Sequence, residues 1–193
     1  MTRTRPTGPA APRPPRPAVF LDRDGTLVND PGFLRDPAAV ALLPGAAAAV
    51  ARLNASGFVV VVVTNQSGIA QGFITAAEYA AVERQVDALV AQGGGRIDRT
   101  YHCPHYPAVG GPCECRKPGT LLYRRAVSEL GLDAGASWGV GDRLSDLLPV
   151  RELGGRGILV RTGTGAEHAA AAVESGFEVA DDLGAAVRRI VES

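Results

Sequence analysis

The sequence predicts an α/β protein, a three-layer α/β/α Rossmann-like sandwich around a mostly parallel sheet. Three observations predict this fold. Short apolar runs alternate along the chain with segments that carry helix signals. One run, Phe58–Thr64, is apolar on both faces, as in a strand that helices cover on both sides. Several runs end in acidic or hydroxyl residues, and the carboxyl ends of parallel strands share one edge of a sheet.

The first half of the chain alternates between strands and helices. Gly57 ends an Ala-rich helix that Pro44-Gly45 opens, because glycine favours the position after a helix. Thr75 and Glu78 form the pattern of a capping box and predict the start of a second helix. The predicted elements are a strand at Ala18–Asp22, a helix over about 46–56, a strand at Phe58–Thr64 and a helix from Thr75 to about Ala91.

The second half continues the alternation. Three glycines at 93–95 break the preceding helix, and Gly131 closes the next one. Asp182 is a helix-capping residue type at the start of the last helix. The predicted elements are strands at Ile97–His102, Ser137–Asp142, Gly157–Arg161 and Phe177–Ala180, and helices at Gly119–Leu130, near 144–153 and from Asp182 to about Val191.

Residues 1–17 contain six prolines and four arginines and almost nothing apolar. Such a segment cannot bury enough apolar surface to fold, so we expect a disordered tail. The remaining residues, 18–193, are of a length suited to one domain, and no linker divides them.

Composition restricts the partners. Charged residues make up 21% of the 193 residues and the formal net charge is zero, so no basic field favours nucleic acid or an anionic membrane. No apolar stretch approaches the length of a membrane span, and no secretory signal is seen. We therefore expect a cytoplasmic protein that is a monomer and acts on a small molecule.

All three cysteines lie within residues 103–115, together with one histidine. Cys103, His105, Cys113 and Cys115 form a Cys₃His set, and structural zinc sites are closed in this way by four ligands. An odd number of cysteines excludes a complete disulfide framework. Buried or free thiols are the alternative, but they do not explain why every cysteine lies in this stretch.

The ends of the predicted strands gather polar residues. Asp22 and Asp24 leave the first strand two positions apart, and crowded carboxylates of this kind repel unless a cation lies between them. Magnesium takes oxygen ligands and suits such a site. Thr64 and Lys117 can bind phosphate oxygens and neutralise their charge. The set predicts phosphoryl transfer with a carboxylate nucleophile.

Plainer interpretations stand beside this one. Thr64 and Asn65 are also typical of a turn that ends a strand. Asp146 either supports the start of the following helix or lies behind the metal ligands. Arg143 is either a solvated charge or a residue of the pocket. The acids as a whole could form the solvated rim of a zinc-stabilised binding module without catalytic activity.

The motifs resemble those of the haloacid dehalogenase-type phosphatases. Asp22-Arg-Asp-Gly-Thr26, Thr64, Lys117 and Gly141-Asp-Arg-Leu-Ser-Asp146 match the four motifs of that superfamily in order. Within it, the runs at 20–26, 63–69, 103–105, 113–118 and 140–143 are similar to the D-glycero-D-manno-heptose 1,7-bisphosphate 7-phosphatases. The related histidinol-phosphate phosphatases share much of this pattern. The resemblance covers about residues 18–190 and implies a minimal cap.

The resemblance implies a role for each residue. Asp22 would be the nucleophile, and Asp24 would be the general acid and then the general base. Magnesium would be held by Asp22, the main-chain carbonyl of Asp24 and Asp142. The phosphoryl group would be bound by Thr64, Asn65 and Lys117. The substrate-contacting residues would be Asp30, Gly32, Phe33, Asn65, Gln66, Ser67, Arg116 and Arg143.

The resemblance also includes a zinc loop with the four ligands named above. Cys115 directly precedes Arg116 and Lys117, so a zinc-held loop would aim two cations at the substrate. Phe33 stands where a tyrosine is usual, which removes one hydroxyl from the pocket. The implied activity is magnesium-dependent hydrolysis of the 7-phosphate of the heptose bisphosphate. Histidinol phosphate or another small sugar phosphate is the alternative substrate.

Overall fold

The structure, a computed structural model, describes residues 14–193. Its centre is one six-stranded sheet in the order β3-β2-β1-β4-β5-β6, in which every neighbouring pair of strands is parallel. The strands are β1 (Arg16–Leu21), β2 (Val59–Asn65), β3 (Arg99–Cys103), β4 (Leu132–Gly141), β5 (Arg156–Val160) and β6 (Glu178–Ala180).

The connections between the strands are largely helical. The helices are α1 (Ala46–Ala55), α2 (Ala76–Gln92), α3 (Pro107–Gly110), α4 (Leu121–Leu130), α5 (Leu144–Glu152), α6 (Gly165–Glu174) and α7 (Leu183–Glu192), with a 3₁₀ turn at Pro37–Ala39. The capping box predicted at the start of α2 is confirmed. The Thr75 amide donates to the Glu78 carboxylate at 2.7 Å, and the Glu78 amide donates to the Thr75 hydroxyl at 3.2 Å.

The two faces of the sheet bury separate clusters. Val19 and Leu21 of β1 lie in an apolar cluster with residues of α1, α2 and α7. Ala18 and Phe20, which alternate with them, pack with residues of α4 and α5 on the other face. Helices thus cover both faces, and the predicted three-layer sandwich with a parallel sheet is confirmed. The run of valines in β2 is buried throughout, as expected for a strand inside such a sheet.

Several predicted boundaries are wrong, by two residues at the starts of β1, β3 and α4 and by five at the start of β4. β1 begins at Arg16, whose amide donates to the Gly131 carbonyl at 3.2 Å, so the tail assigned to residues 1–17 was too long at its end. β4 begins at Leu132 rather than Ser137. Its first half pairs with β1 next to a register shift and is not apolar, so the sequence pattern did not indicate a strand there. Residues 1–13 lie outside the described residues, and the single-domain assignment over 18–193 stays a prediction.

The topology places a cleft beside β1. The chain moves from β1 to β2 and β3 on one side and returns to β4, β5 and β6 on the other, so the strand order reverses at β1 and β4. In open parallel sheets, ligands bind outside the carboxyl ends of the strands at this reversal. Among residues 14–193, no helix is long and apolar enough to cross a membrane.

Candidate active site

A cleft of about 420 Å³ lies at the carboxyl ends of β1 and β2. This volume is within the range of about 300–1,000 Å³ that is usual for small-molecule sites. All but one of the catalytic, magnesium-site and substrate-contacting residues expected from the sequence line it. They are Asp22, Asp24, Asp30, Gly32, Phe33, Thr64, Asn65, Gln66, Ser67, Arg116, Lys117, Arg143 and Asp146. Asp142, the exception, is 3% exposed and lies within the acidic cluster described next.

Lys117 lies between two buried carboxylates at the floor of the cleft. Its Nζ donates to Asp22 Oδ1 at 2.6 Å and to the Val63 carbonyl at 2.8 Å, and it forms an ion pair with Asp146 Oδ1 at 2.8 Å. Burial alone would lower the pKa of Lys117, but the carboxylates of Asp146 and Asp22 outweigh it and raise that pKa above its usual value. Lys117 is therefore a fixed positive charge in the site.

Asp22 is a carboxylate in an unfavourable environment. Burial raises its pKa to about 8, and the nearby carboxylates of Asp146 and Asp24 add to this, while Lys117 acts in the opposite direction. Of the hydrogen bonds to described residues, those of the Asp22 side chain involve Oδ1. Oδ2 therefore has no hydrogen bond of this kind and is the oxygen available to a ligand in the cleft.

The acidic cluster holds more negative charge than its cations can neutralise. Ligand oxygens of Asp22, Asp142 and Asp146 lie within 4.8 Å of one another, and Lys117 contacts two of these three residues. The exposed Arg143 lies 3.8 Å from Asp142 Oδ1, so three ionised carboxylates face two cations and one negative charge is left in excess. A divalent cation bound by oxygen ligands would remove this excess, and magnesium has that preference. The residues present therefore fit magnesium.

Asp146 supports the start of α5, which is one of the two roles that the sequence left open. Its Oδ2 accepts a hydrogen bond from the Arg143 amide at 3.0 Å, which fixes the start of α5. Its Oδ1 pairs with Lys117, and the side chain is 4% exposed within the acidic cluster. One carboxylate thus connects the beginning of a helix to the floor of the cleft.

Sequence reasoning missed Thr164, which holds Asp142. The Thr164 amide and hydroxyl both donate to Asp142 Oδ2, at 2.8 and 2.9 Å. These bonds act against burial, which raises the pKa of Asp142 above its usual value. Thr164 follows β5 by a short turn, so its place beyond a predicted strand end was the available signal.

We expect Thr164→Val to weaken magnesium binding by roughly 10-fold or more, because partners that orient a metal ligand typically contribute about 10–100-fold to metal affinity. The magnesium concentration at half-maximal binding, from isothermal titration calorimetry, would measure this effect. Thr164→Ser keeps the hydroxyl and should stay within about 3-fold of wild type. Equal half-maximal concentrations for the Val variant and wild type would show that the hydroxyl does not position Asp142.

Two glycines make room for the Asp142 carboxylate. Gly25 and Gly163 have positive φ angles of 83° and 57°. A Cβ at Gly25 would lie 2.7 Å from Asp142 Oδ2, and one at Gly163 would also collide with that oxygen. Neither position accepts a side chain, for reasons of both backbone conformation and space.

The Asp24 carboxylate is surrounded by donors. Arg23 donates to it from Nε and NH2 at 3.0–3.2 Å, Gln66 from Nε2 at 2.7 Å and Thr64 from Oγ1 at 3.3 Å. Arg23 is 1% exposed and also pairs with Glu83 of α2 at 2.6 Å. Sequence reasoning assigned no role to Arg23 or Glu83.

Asn65 lines the cleft, and its side chain also contacts the main chain of the loop that carries Lys117. Its amide oxygen accepts a hydrogen bond from the Lys117 amide at 3.1 Å, and its amide nitrogen donates to the Lys117 carbonyl at 3.3 Å. Both ends of the side chain are therefore used on the main chain of Lys117. Asn65 therefore connects the end of β2 to the loop that carries Lys117.

The rim of the cleft is more exposed and carries two arginines. Arg143 is 53% exposed and donates to the Thr164 hydroxyl at 3.2 Å, and Arg116 lies at 3.4 Å from the His105 carbonyl. Phe33 is 50% exposed and stacks on Phe73 at a ring distance of 4.6 Å. The rim thus offers positive charge and an aromatic surface.

The cysteine loop forms a compact cluster beside the cleft. The three sulfur atoms of Cys103, Cys113 and Cys115 lie 3.2–3.6 Å apart, and His105 Nδ1 lies 3.1 Å from Cys115 Sγ and 3.7 Å from Cys103 Sγ. Tetrahedral zinc with bonds of about 2.3 Å to sulfur separates its sulfur ligands by about 3.8 Å. The three cysteines form no disulfide, and burial raises the pKa of Cys103 to about 12. The cluster fits one zinc ion.

Comparison with known proteins assigns the chain to a family. Residues 114–186 match a family model described as HAD-hydrolase-like. A D-glycero-β-D-manno-heptose-1,7-bisphosphate 7-phosphatase of Haemophilus ducreyi is 39% identical over 152 residues, which are 76% of this chain and 84% of that protein. The enzyme of the same name from Pseudomonas aeruginosa is 33% identical over 92% of this chain and 99% of its own length. The chain belongs to this phosphatase family.

A solved structure agrees with the assignment. The D,D-heptose 1,7-bisphosphate phosphatase of Bordetella bronchiseptica, complexed with magnesium and phosphate, superposes with a TM-score of 0.83 at 35% identity. The match covers 91% of this chain and 98% of that one. The phosphatase is thus an enzyme of the haloacid dehalogenase superfamily, as the motifs indicated. The alternative of a binding module without catalytic activity is wrong.

Proposed function

We propose that this phosphatase hydrolyses the 7-phosphate of D-glycero-D-manno-heptose 1,7-bisphosphate. The observation that carries the proposal is the buried Asp22 carboxylate, paired with Lys117 and directed into a cleft. It is supported by identities of 33–39% over the aligned residues to phosphatases named for this substrate. The half-buried Arg116 and the exposed Arg143 lie at the rim, where cations suit the second phosphate of a bisphosphate.

The proposed reaction has two steps. An oxygen of Asp22 attacks the phosphorus, the bond from phosphorus to the sugar oxygen breaks, and Asp24 donates a proton to that oxygen. Asp24 then takes a proton from water, which attacks the aspartyl phosphate, and the bond from phosphorus to Asp22 breaks. Phosphate leaves and both carboxyl groups return to their starting states.

Lys117 and Thr64 would stabilise the phosphoryl group in both steps. Lys117 is a buried cation between Asp22 and Asp146, so it opposes the charge that develops on the phosphoryl oxygens. Asp22 and Asp142 are the proposed side-chain ligands of magnesium, together with the main-chain carbonyl of Asp24. Bound magnesium would supply further charge neutralisation at the phosphate.

The zinc loop has a supporting role in this proposal. Cys103, His105, Cys113 and Cys115 would hold one structural zinc ion. Arg116 and Lys117 follow Cys115 directly, so zinc would fix the loop from which both cations reach the cleft. We further propose that the enzyme acts as a monomer in the cytoplasm. One chain supplies every residue of the proposed site, and its unpaired cysteines suit a reducing compartment.

Phosphate release from three substrates tests the proposal. We expect kcat/KM for the β anomer of the heptose bisphosphate to exceed that for histidinol phosphate by at least ~10-fold, since an unmatched polar group in a pocket costs at least that factor. Phosphorus NMR should show that the phosphate at C7 is lost and that the one at C1 remains. The α anomer serves as a matched substrate control. Equal or faster turnover of histidinol phosphate would overturn the substrate assignment.

A further inference from the structure

We propose that Glu83 of α2 is a positioning residue, which fixes Arg23 so that Arg23 orients the Asp24 carboxylate for proton transfer. The inference rests on the proposed role of Asp24 as general acid. Glu83 lies outside the residues that line the cleft and does not contact the substrate site. Its influence on the reaction must therefore pass through the arginine.

Arg23 is a buried charge whose guanidinium group has two different partners. Its NH1 donates to Glu83 Oε1 at 2.6 Å, whereas its Nε and NH2 donate to the Asp24 carboxylate. The planar fork of donors in arginine makes such contacts strongly directional. The Glu83 and Asp24 carboxylates bind different nitrogens of one rigid guanidinium group. The position of Glu83 therefore determines the orientation of the Arg23 donors toward Asp24.

The two oxygens of Asp24 are held unequally. Oδ2 accepts hydrogen bonds from Gln66 at 2.7 Å and Thr64 at 3.3 Å, as well as from Arg23 Nε at 3.2 Å. Oδ1 accepts its bonds from Arg23, at 3.0 Å from NH2 and 3.1 Å from Nε. Because Arg23 holds Oδ1, it determines how the Asp24 carboxylate is rotated about Oδ2. Glu83 acts on this rotation through Arg23.

Two aromatic rings pack beside the ion pair of Arg23 and Glu83. The Tyr79 ring lies 5.6 Å from the Arg23 guanidinium carbon, and the His102 ring packs on Tyr79 at 4.2 Å. Burial alone would lower the pKa of Arg23, but the carboxylates of Asp24 and Glu83 raise it above its usual value. A buried ion pair contributes little net stability compared with apolar packing, so precise orientation is the property that this pair adds.

The test compares two substrates on the variant Glu83→Gln, which keeps the size of the side chain. An alkyl phosphate such as the heptose bisphosphate needs a proton on its leaving oxygen, whereas 2,4-dinitrophenyl phosphate has a leaving group stable as an anion. kcat/KM reports the steps up to departure of the leaving group. General acid catalysis contributes roughly 10²–10⁴-fold, so we expect kcat/KM for the alkyl phosphate to fall by ~10–100-fold and that for the aryl phosphate by less than ~3-fold.

Two further variants serve as controls for this comparison. Asp87→Asn removes another carboxylate from the same helix, one turn further on, and should leave both values of kcat/KM within ~2-fold of wild type. In an Asp24→Asn background, Glu83→Gln should have little further effect, because residues that act through one another are not additive. Both substrates are assayed on one preparation, so their ratio does not depend on the fraction of folded enzyme.

Each outcome decides the question. A selective loss on the alkyl phosphate, absent in Asp87→Asn, supports the positioning role. An unchanged ratio, whether both values of kcat/KM fall equally or neither falls, would overturn the inference. If the wild type hydrolyses the aryl phosphate but no alkyl phosphate, it is the proposed function that fails.

Discussion

Asp22→Asn is expected to lower phosphate release by at least ~10³-fold, equivalent to about 4 kcal/mol of transition-state stabilisation, and to leave the protein folded. The amide has nearly the shape of the carboxylate but lacks a nucleophilic oxygen. Lys117 keeps its ion pair with Asp146 at 2.8 Å in this variant, so the buried cation retains a partner. The variant should therefore lose phosphatase activity but keep its thermal stability.

Single-turnover and steady-state phosphate release, with circular dichroism on the same samples, would measure both properties. Asp181→Asn is the matched control, because it makes the same chemical change at a side chain that is 91% exposed and outside the cleft. Burial disfavours the charged form of Asp22, so the melting temperature of the metal-free variant should not fall below that of metal-free wild type. A variant that retains more than about a tenth of the wild-type rate would contradict the assignment of Asp22 as nucleophile.

Removal of zinc is expected to lower the melting temperature by at least ~8 °C. Loss of a structural metal is among the changes that exceed about 4 kcal/mol, and in a chain of this length 1 kcal/mol shifts the melting temperature by about 2–4 °C. Cys103 and Cys115 are buried and pack in the apolar cluster under α4, so the empty loop would disturb the core as well as the surface.

Cys115→Ser and His105→Asn, with zinc content measured by mass spectrometry, would test this prediction. His168→Asn is the matched control, because His168 lies on α6, outside the cysteine loop. After treatment with EDTA, added magnesium alone should not restore the melting temperature, whereas zinc should. Wild-type stability in both loop variants, or protein purified without zinc, would refute a structural zinc site.

Sequence reasoning succeeded where the signal is local. The apolar run of β2 and the capping box at Thr75 are properties of a few consecutive residues, and the structure confirms both. The residues at the strand ends meet in one cleft because a parallel sheet brings the carboxyl ends of its strands to one edge. The fold and the lining of the cleft thus follow from periodicity and from one general rule of topology.

The missed contacts depend on the packing of distant segments. Glu83 is 60 positions from Arg23, and no pattern in α2 distinguishes it from other carboxylates on a helix surface. Thr164 reaches Asp142 across a turn whose conformation the sequence does not indicate. The two hydrogen bonds from Asn65 to Lys117 were not foreseen, because they depend on how the zinc loop lies against β2. Partners of this kind are determined only when the whole chain has folded.

The glycines around Asp142 also bear on how this enzyme can diverge in evolution. A side chain at Gly25 or Gly163 collides with the carboxylate, so these positions are closed to gradual change. Phe33 and Phe73 at the rim are half exposed, and their substitution disturbs no buried charge. New substrates can thus be acquired by mutations at the rim, while the glycines keep the hydrolytic chemistry constant from one descendant to the next.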